Sequence, residues 1–415
     1  VQLVEKHIVK LNNINYEMFD KLTRLSKNLY NAGLYNTRQH FFATEKHKSW
    51  DKIEKEFIST DNIDYRALPS KVAKEIMRSM GQDFNSFFGL LEKKKQGLYD
   101  EKINIPHYKD KNGKHLIKFE KQTISKQVVE LPNNLFEHTL CKRELNIKII
   151  SKQPNIDYVR ILPRYKHFVV EIIYTKQEQR QPKIKQKDRK IATIDPGIRN
   201  LLTITFNDGR KPVIIKGGPI KSINQYYNKQ RAYLQSKLPN DVYTSNKVNQ
   251  LTTKRNRKLE WTFHNISKNI VNFLVQNEVD TLVIGKNINW KQNVNLGKKN
   301  NQNFVMIPFN KLYKQLEYKC ELIGIKVKYQ EESYTSKANC LNFDKIPIYG
   351  KNDENYKFTG KRNRGLYKSD CGKIINSDVN GSYNIGRKAF PKLYIKDGIE
   401  DVAGHPTLMN FLKCS

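Results

Sequence analysis

The chain has 415 residues, with 75 Lys and Arg against 41 Asp and Glu and a formal net charge of +34. With 22 Tyr and 19 Phe it carries too many large apolar side chains for a disordered basic tail, and its length suits two or three domains. No acidic run offsets the positive surplus, so the expected partner is a polyanion whose counterions are released on binding, which means nucleic acid. No stretch approaches a bilayer span, and the opening VQLVEKHIVK lacks the apolar region of a secretion signal, so a membrane role is not expected. Cys141, Cys320, Cys340, Cys371 and Cys414 are odd in number and have no CxxC spacing, which argues against a disulfide framework and for a reducing, intracellular setting.

From Asn15, the positions Met18, Leu22, Leu25, Leu29 and Tyr30 recur at helical spacing among lysines and arginines. A second helix is predicted from Pro69 and a capping Ser70, with Val72, Ile76, Met80, Phe84, Phe87, Phe88 and Leu91 along one side as core. Between about 115 and 175 the pattern turns to short β runs, HLIKFEK, ELNIKIIS, YVRILPRY and HFVVEIIYT. The polar segment KQEQRQPKIKQKDRK then reads as a boundary, with 181–189 as linker.

IATIDPGIRNLLTITFNDGRKPVIIKG follows: three strands with turns at Pro196-Gly197 and Asp208-Gly209. Two helices, SINQYYNKQRAYLQSKL and KRNRKLEWTFHNISKNIVNFLVQN, precede the strand DTLVIG, a polar loop, the helix FNKLYKQLEYKCELIG and the strand IKVKYQEE. Three hairpin-linked strands followed by strand, helix and strand is the order of an RNase H-like α/β sheet, with the first strand central and the later ones parallel beside it.

Carboxylates at strand tips of such a sheet converge. The candidates are Asp195 in IATIDPG, Glu331 or Glu332 after the last strand, and Asp378 in INSDVNGSYNIGR. Phosphodiester hydrolysis by two divalent ions needs several anionic oxygens at one point, which gives a positive chain a reason to keep acidic residues there. Each also has a structural reading: an Asx turn at 195, a helix cap at 378, salt bridges at 331 and 332. Three acidic ends in the right chain order favour the functional one.

IATIDPGIRNLLTI, NFVMIPFNKLYKQLEYKCELIGIKV, YTSK and SDVNGSYNIGRK resemble the RuvC-type nuclease half of the TnpB family and its Fanzor relatives, over residues 190–390. The resemblance implies a transposon-encoded, RNA-guided DNA endonuclease that works beside a short adjacent motif. Implied with it are a guide (omega) RNA and double-stranded target DNA as partners, Mg²⁺ with Mn²⁺ as a substitute, and a monomer. It also implies a β-barrel wedge domain (1–14 and 105–180) with an inserted helical recognition lobe (15–104), then the nuclease domain and a tail at 391–415. The compartment follows from which relative is nearer: nucleus or viral factory for Fanzor, bacterial cytoplasm or nucleoid for TnpB.

Two departures stand out. Most TnpB proteins carry a Glu where this chain has Gly285, whereas Fanzor proteins and some TnpB relatives lack it and carry one shortly before the YTS motif. The resemblance therefore assigns the metals to Asp195, Glu332 and Asp378, with Glu331 as the alternate; alternation along an ideal strand lets only one of the adjacent pair reach them. The family's four-cysteine ribbon is reduced, over about 337–377, to Cys340 and Cys371 without histidine, so no zinc is expected. For nucleic acid, Lys254, Arg255 and Arg257 in TKRNRKLEW and Lys291, Gln292, Lys298 and Lys299 in the polar loop are candidates. Two rival readings are a nuclease-dead guided repressor and an unguided recombinase or transposase.

Overall fold

A computed structural model describes residues 1–13, 15–121, 124–125, 128–130, 146–148, 151, 153, 155–178, 188–287, 306–348, 356–394 and 399–410. The chain divides into two compact units, Gln2–Lys176, and Gln177–Ser415 with Val1.

The first unit opens with β1 (Gln2–Lys10), continues through α1 (Asn15–Thr44), α2 (Trp50–Ser59), α3 (Ile63–Arg66) and α4 (Ser70–Lys95), and returns in β2 (Ile117–Glu120), β3 (Ile124–Ser125), β4 (Val128–Glu130), β5 (Asn146–Lys148), β6 (Ile156–Arg164) and β7 (His167–Thr175). β1, β7, β6 and β2 form an antiparallel sheet in that order, and β3, β4 and β5 a second one. The sheet and the helices share one core, in which Phe19, Leu29 and Phe84 meet Phe119, Phe168 and Ile172. The barrel expected here spans residues outside the described set, and the strands that are described give these two sheets.

Ser70 is not the cap of α4. It is the first helical residue, and Pro69, with φ −54° and ψ 136°, makes the boundary without any side-chain cap bond. α2 and α3 lie within the stretch expected as a helical lobe, though neither is predicted individually: α2 has only ten residues and buries just Ile53, Glu54 and Phe57, so tertiary packing rather than a long apolar stripe holds it.

The second unit runs β8 (Ile191–Pro196), β9 (Asn200–Phe206), β10 (Val213–Lys216), α5 (Gly218–Gln235), α6 (Asn246–Gln276), β11 (Thr281–Gly285), α7 (Phe309–Leu322), β12 (Lys326–Gln330), β13 (Lys361–Asn363), β14 (Leu366–Lys368), β15 (Ile374–Asn376), α8 (Ser377–Ala389) and β16 (Thr407–Met409). Its main sheet has the order β12-β11-β8-β9-β10-β16. β8 is antiparallel to β9 and parallel to β11, which is parallel to β12. This is the expected arrangement, with Gly209 at φ +77° in the β9–β10 turn. α6 starts earlier than its apolar stripe suggests, because Ser245 accepts a hydrogen bond from the Val248 amide at 3.3 Å and caps it there. β16, in the stretch expected as a tail, pairs parallel with β10.

The central strands are covered on both faces, so they are continuous apolar runs. Ala192, Ile194, Leu282 and Ile284 face a core built with α6 and α7. Ile191 and Val283 point the other way, into a core shared with Val379, Tyr383 and Ile385 of α8. α8 therefore lies against the sheet and brings its first turn to the carboxyl end of β8.

Candidate active site

Asp195 is the penultimate residue of β8, opposite Thr203 of β9. Glu332 lies two residues beyond β12, and Asp378 in the first turn of α8. Burial, and after it the charges of Glu332 and Asp378, hold the Asp195 carboxyl well above its ordinary range, while Arg362 opposes them. The Glu332 carboxyl is also raised, by burial and then by the charge of Glu331. The three acids expected to act together are thus electrostatic neighbours.

Two glycines make room for them. A Cβ on Gly381 of α8 would stand 2.7 Å from Asp195 Oδ2, so only a residue without one lets the helix lie against that carboxylate. A Cβ on Gly285, at the end of β11, would stand 2.3 Å from Glu332 Oε1 and 2.7 Å from Ile385 Cδ1. The Glu332 carboxylate therefore fills the space that a side chain at 285 would enter. Asn287 fixes it from two residues downstream: its Nδ2 donates to Glu332 Oε2 at 3.2 Å and its Oδ1 accepts from the Glu332 amide at 2.9 Å.

Glu331 is engaged elsewhere. It accepts from the Ser333 amide and pairs with Lys388 of α8, and these bonds hold its carboxyl below its ordinary range against the effect of burial.

The Asp378 amide donates to Asn376 Oδ1 at 2.9 Å, so the cap of α8 is Asn376 and the Asp378 carboxylate is left for other partners. Its Oδ2 accepts from Asn200 Nδ2 at 2.8 Å, and Asn200 Oδ1 accepts in turn from Lys216 at 3.2 Å. Arg362 of β13 stands 3.5 Å from Oδ1. Asp378 opens onto a cleft of about 1100 Å³ whose walls carry Arg199, Lys216, Lys221, Arg362 and Arg364. Burial and the neighbouring Arg199 pull the Lys221 ammonium below its usual range. Five cations lining one cleft repel one another, and phosphate groups relieve that repulsion.

The donor set suits a hard cation. Oε1 of Glu332 is buried without a hydrogen-bond partner, an expensive state for a carboxylate oxygen unless a cation or proton reaches it. Among the described residues, no three His, Cys, Asp or Glu side chains stand together in a ready-made metal cage. The acids are neighbours in charge, short of a closed coordination shell.

A profile described as "Probable transposase" matches residues 170–291, and one described as "Cas12f1-like, TNB domain" matches 309–385. The chain is 26% identical to a TnpB-like protein of Acidianus two-tailed virus over 92% of its own length and 86% of the relative's. Over most of its length the chain is therefore similar to a TnpB-like protein. A TnpB-like protein of Methanocaldococcus jannaschii is 27% identical over 48% of this chain and 69% of its own. Among solved structures, CasPhi-2 bound to crRNA aligns with 93% of this chain and 98% of its own at 9% identity and TM-score 0.47. The Cas12f1–sgRNA–target DNA complex aligns with 94% and 100% at 16% identity and TM-score 0.37. TM-scores below 0.5 mark a loose likeness. The second unit by itself has the mixed α/β strand order expected of an RNase H-like sheet, and among the described residues no helix is long and apolar enough to cross a membrane.

Of the nucleic-acid candidates, Lys254 and Arg257 are exposed on α6. Arg255 is turned inward: its guanidinium donates to Asn224 Oδ1 at 2.8 and 3.0 Å and to the Met306 carbonyl at 2.8 Å, tying α6 to α5. Lys291, Gln292, Lys298 and Lys299 lie outside the described residues. Between 337 and 377 Cys340 is buried and its thiol pushed up to about 12, whereas Cys371 is exposed. Asp344 accepts there from the Asn339 amide at 2.9 Å and from Thr359 Oγ1 at 2.7 Å, and Asn339 reaches Ser369 at 2.8 Å. Sequence reasoning did not single out Asn200, Asn287 or Arg362. Asn200 and Asn287 lie within five residues of Asp195 and Gly285, but nothing local distinguishes them from ordinary loop asparagines.

Proposed function

We propose that this TnpB-like protein is an RNA-guided DNA endonuclease that cuts target DNA beside a short adjacent motif, with divalent ions held by Asp195, Glu332 and Asp378. The observation that carries the reading is a buried Asp195 carboxylate within reach of the charges of Glu332 and Asp378, with Asp378 opening onto a cleft lined by five cations. Mg²⁺, or Mn²⁺ in its place, would activate water and stabilise charge on the leaving oxygen. The chain's own contribution is positioning. Asn287 fixes Glu332, Asn200 and Lys216 orient Asp378, Gly285 and Gly381 leave room for two of the acids, and the cleft cations grip the phosphates on either side of the cut. Base pairing with the guide would supply sequence selection, leaving the protein to read shape, backbone and the adjacent motif.

The test is to express the protein with its native flanking DNA, sequence the RNA that co-purifies, and incubate the complex with matched DNA and Mg²⁺. A discrete RNA and guide-dependent cutting are expected, with cutting lost and RNA retained in Asp195→Ala and Glu332→Ala. Target held uncut in both Mg²⁺ and Mn²⁺ would establish the repressor reading. Gly285 motivates that reading, and the Glu332 carboxylate lying against Gly285 weakens it. Cutting or joining by protein free of discrete RNA would favour the recombinase, the alternative closest to the "Probable transposase" description.

A further inference from the structure

The first unit holds a second pocket, of about 290 Å³, that the nuclease chemistry does not use. One wall is the outer face of α4, where Glu75, Arg78, Ser79 and Gln82 follow at helical spacing; the other is the β2–β6 pair. Lys118 of β2 lies directly across from Arg160 of β6 in the register, a like-charge pair that disfavours the sheet by itself. Each cation has a carboxylate in reach, Glu75 at 2.9 Å for Lys118 and Glu171 at 2.7 Å for Arg160. Arg78 has only a loose contact with Glu75, at 3.5 Å.

Beside this charged half the pocket has a neutral half. Ile76 and Leu116 are apolar, Gln82 is exposed at the rim, and Tyr158 lines the wall with Lys118 Nζ 4.8 Å from its ring centre. His115 closes this side against Tyr30, ring centres 4.7 Å apart, and its Nε2 has no hydrogen-bond partner. Burial, and after it the charge of Lys109, lowers the imidazole to about 4, so it is neutral at ordinary pH. Paired cations beside a half-apolar wall with uncharged donors and acceptors match the two parts of a nucleotide. Inorganic phosphate would leave the neutral half empty, whereas a nucleotide occupies both halves, its phosphate competing with Glu75, Glu120 and Glu171 for the cations.

We infer that the crevice between α4 and the β2–β6 pair binds a single unpaired nucleotide of a bound strand, with its phosphate toward Arg78, Lys118 and Arg160 and its base toward Gln82, Tyr158 and the His115 wall. The inference rests on the nucleic-acid part of the proposed function and not on the cutting chemistry. Unpaired bases are the form in which proteins read sequence in RNA and single-stranded DNA, through stacking and edge hydrogen bonds.

The test uses the full chain carrying Asp195→Asn, which removes cleavage from the readout. It is irradiated with a 4-thiouridine-substituted RNA and, separately, a 4-thiothymidine-substituted single-stranded DNA, and the crosslinked peptides are identified. Crosslinks on 75–82, 115–118 or 158–160 are expected in one of the two arms, and that arm names the source of the nucleotide. Gln82→Ala, at an exposed position, and His115→Phe, which keeps the ring packing, should each weaken binding of the preferred homopolymer by roughly three- to tenfold. Both should leave the dependence on salt unchanged, because no phosphate contact is removed. Arg78→Ala should instead lower the salt dependence. Crosslinks confined to other segments, or Gln82 and His115 variants that bind all four homopolymers like the parent, would overturn the inference.

Discussion

Inserting a methyl group at Gly285 tests the geometry of the site apart from its chemistry. The new Cβ would stand 2.3 Å from Glu332 Oε1, 3.0 Å from Glu332 Cδ and 2.7 Å from Ile385 Cδ1. All three atoms are ends of flexible side chains, so Gly285→Ala is relieved by moving the carboxylate rather than the backbone. The stability cost should therefore lie at the low end of overpacking, about 1 kcal/mol, a fall of about 2–4 °C in Tm for a unit of this size. Cleavage should suffer far more, because displacing a ligand exceeds the roughly 10–100-fold penalty of losing an outer-shell partner. Moving the acid back, with Gly285→Glu and Glu332→Gly together, should return much of the activity lost in Glu332→Gly alone. The assay is single-turnover cutting of a matched target, with a thermal melt of each variant. Gly285→Ala protein that cuts at the parental rate would refute the claim that Glu332 works from the space above residue 285.

Glu331→Gln should keep cleavage and lose at most about 1 kcal/mol, since it breaks only the partly exposed pair with Lys388; loss of cutting with unchanged metal affinity would oppose the division of roles between the two glutamates. In metal-free protein the folded state holds protons on Asp195 and Glu332 more tightly than the unfolded chain does, so stability is greatest below the unfolded value and falls as pH rises. For Glu332 the window runs from the ordinary 4.5 to about 7, and Glu332→Gln should flatten the Tm profile across it. Divalent-ion affinity should rise across the same window as the metal displaces those protons, measurable by Mn²⁺ titration at several pH values. Lys221→Ala or Arg364→Ala should weaken DNA binding and lower its salt slope by about 1 each while guide-RNA binding persists; an unchanged slope would remove the cleft from the path of the DNA.

Local rules were enough for β8 to β12 and for the long helices. The apolar runs bounded by the turns at Pro196-Gly197 and Asp208-Gly209 read as strands, and the stripe from Val72 to Phe84 reads as a helix face. Chain order placed Asp195, the 331–332 pair and Asp378 at adjacent ends of the sheet, because strand, helix, strand has few right-handed solutions. Local rules did not single out α2, α3 or the short strands β13 to β16, whose few residues carry too little pattern to read. The alternation argument allowed one of Glu331 and Glu332 to reach the site but could not say which. That choice is made by Lys388 and Asn287, residues 57 and 45 positions away in the chain, which draw one carboxylate outward and hold the other above a glycine. The sequence by itself determined which acids were available and at which strand ends. The tertiary structure decided which of them is left unpaired, because a carboxylate's role depends on the charges and empty volume around it, and those are contributed by segments far apart in the chain.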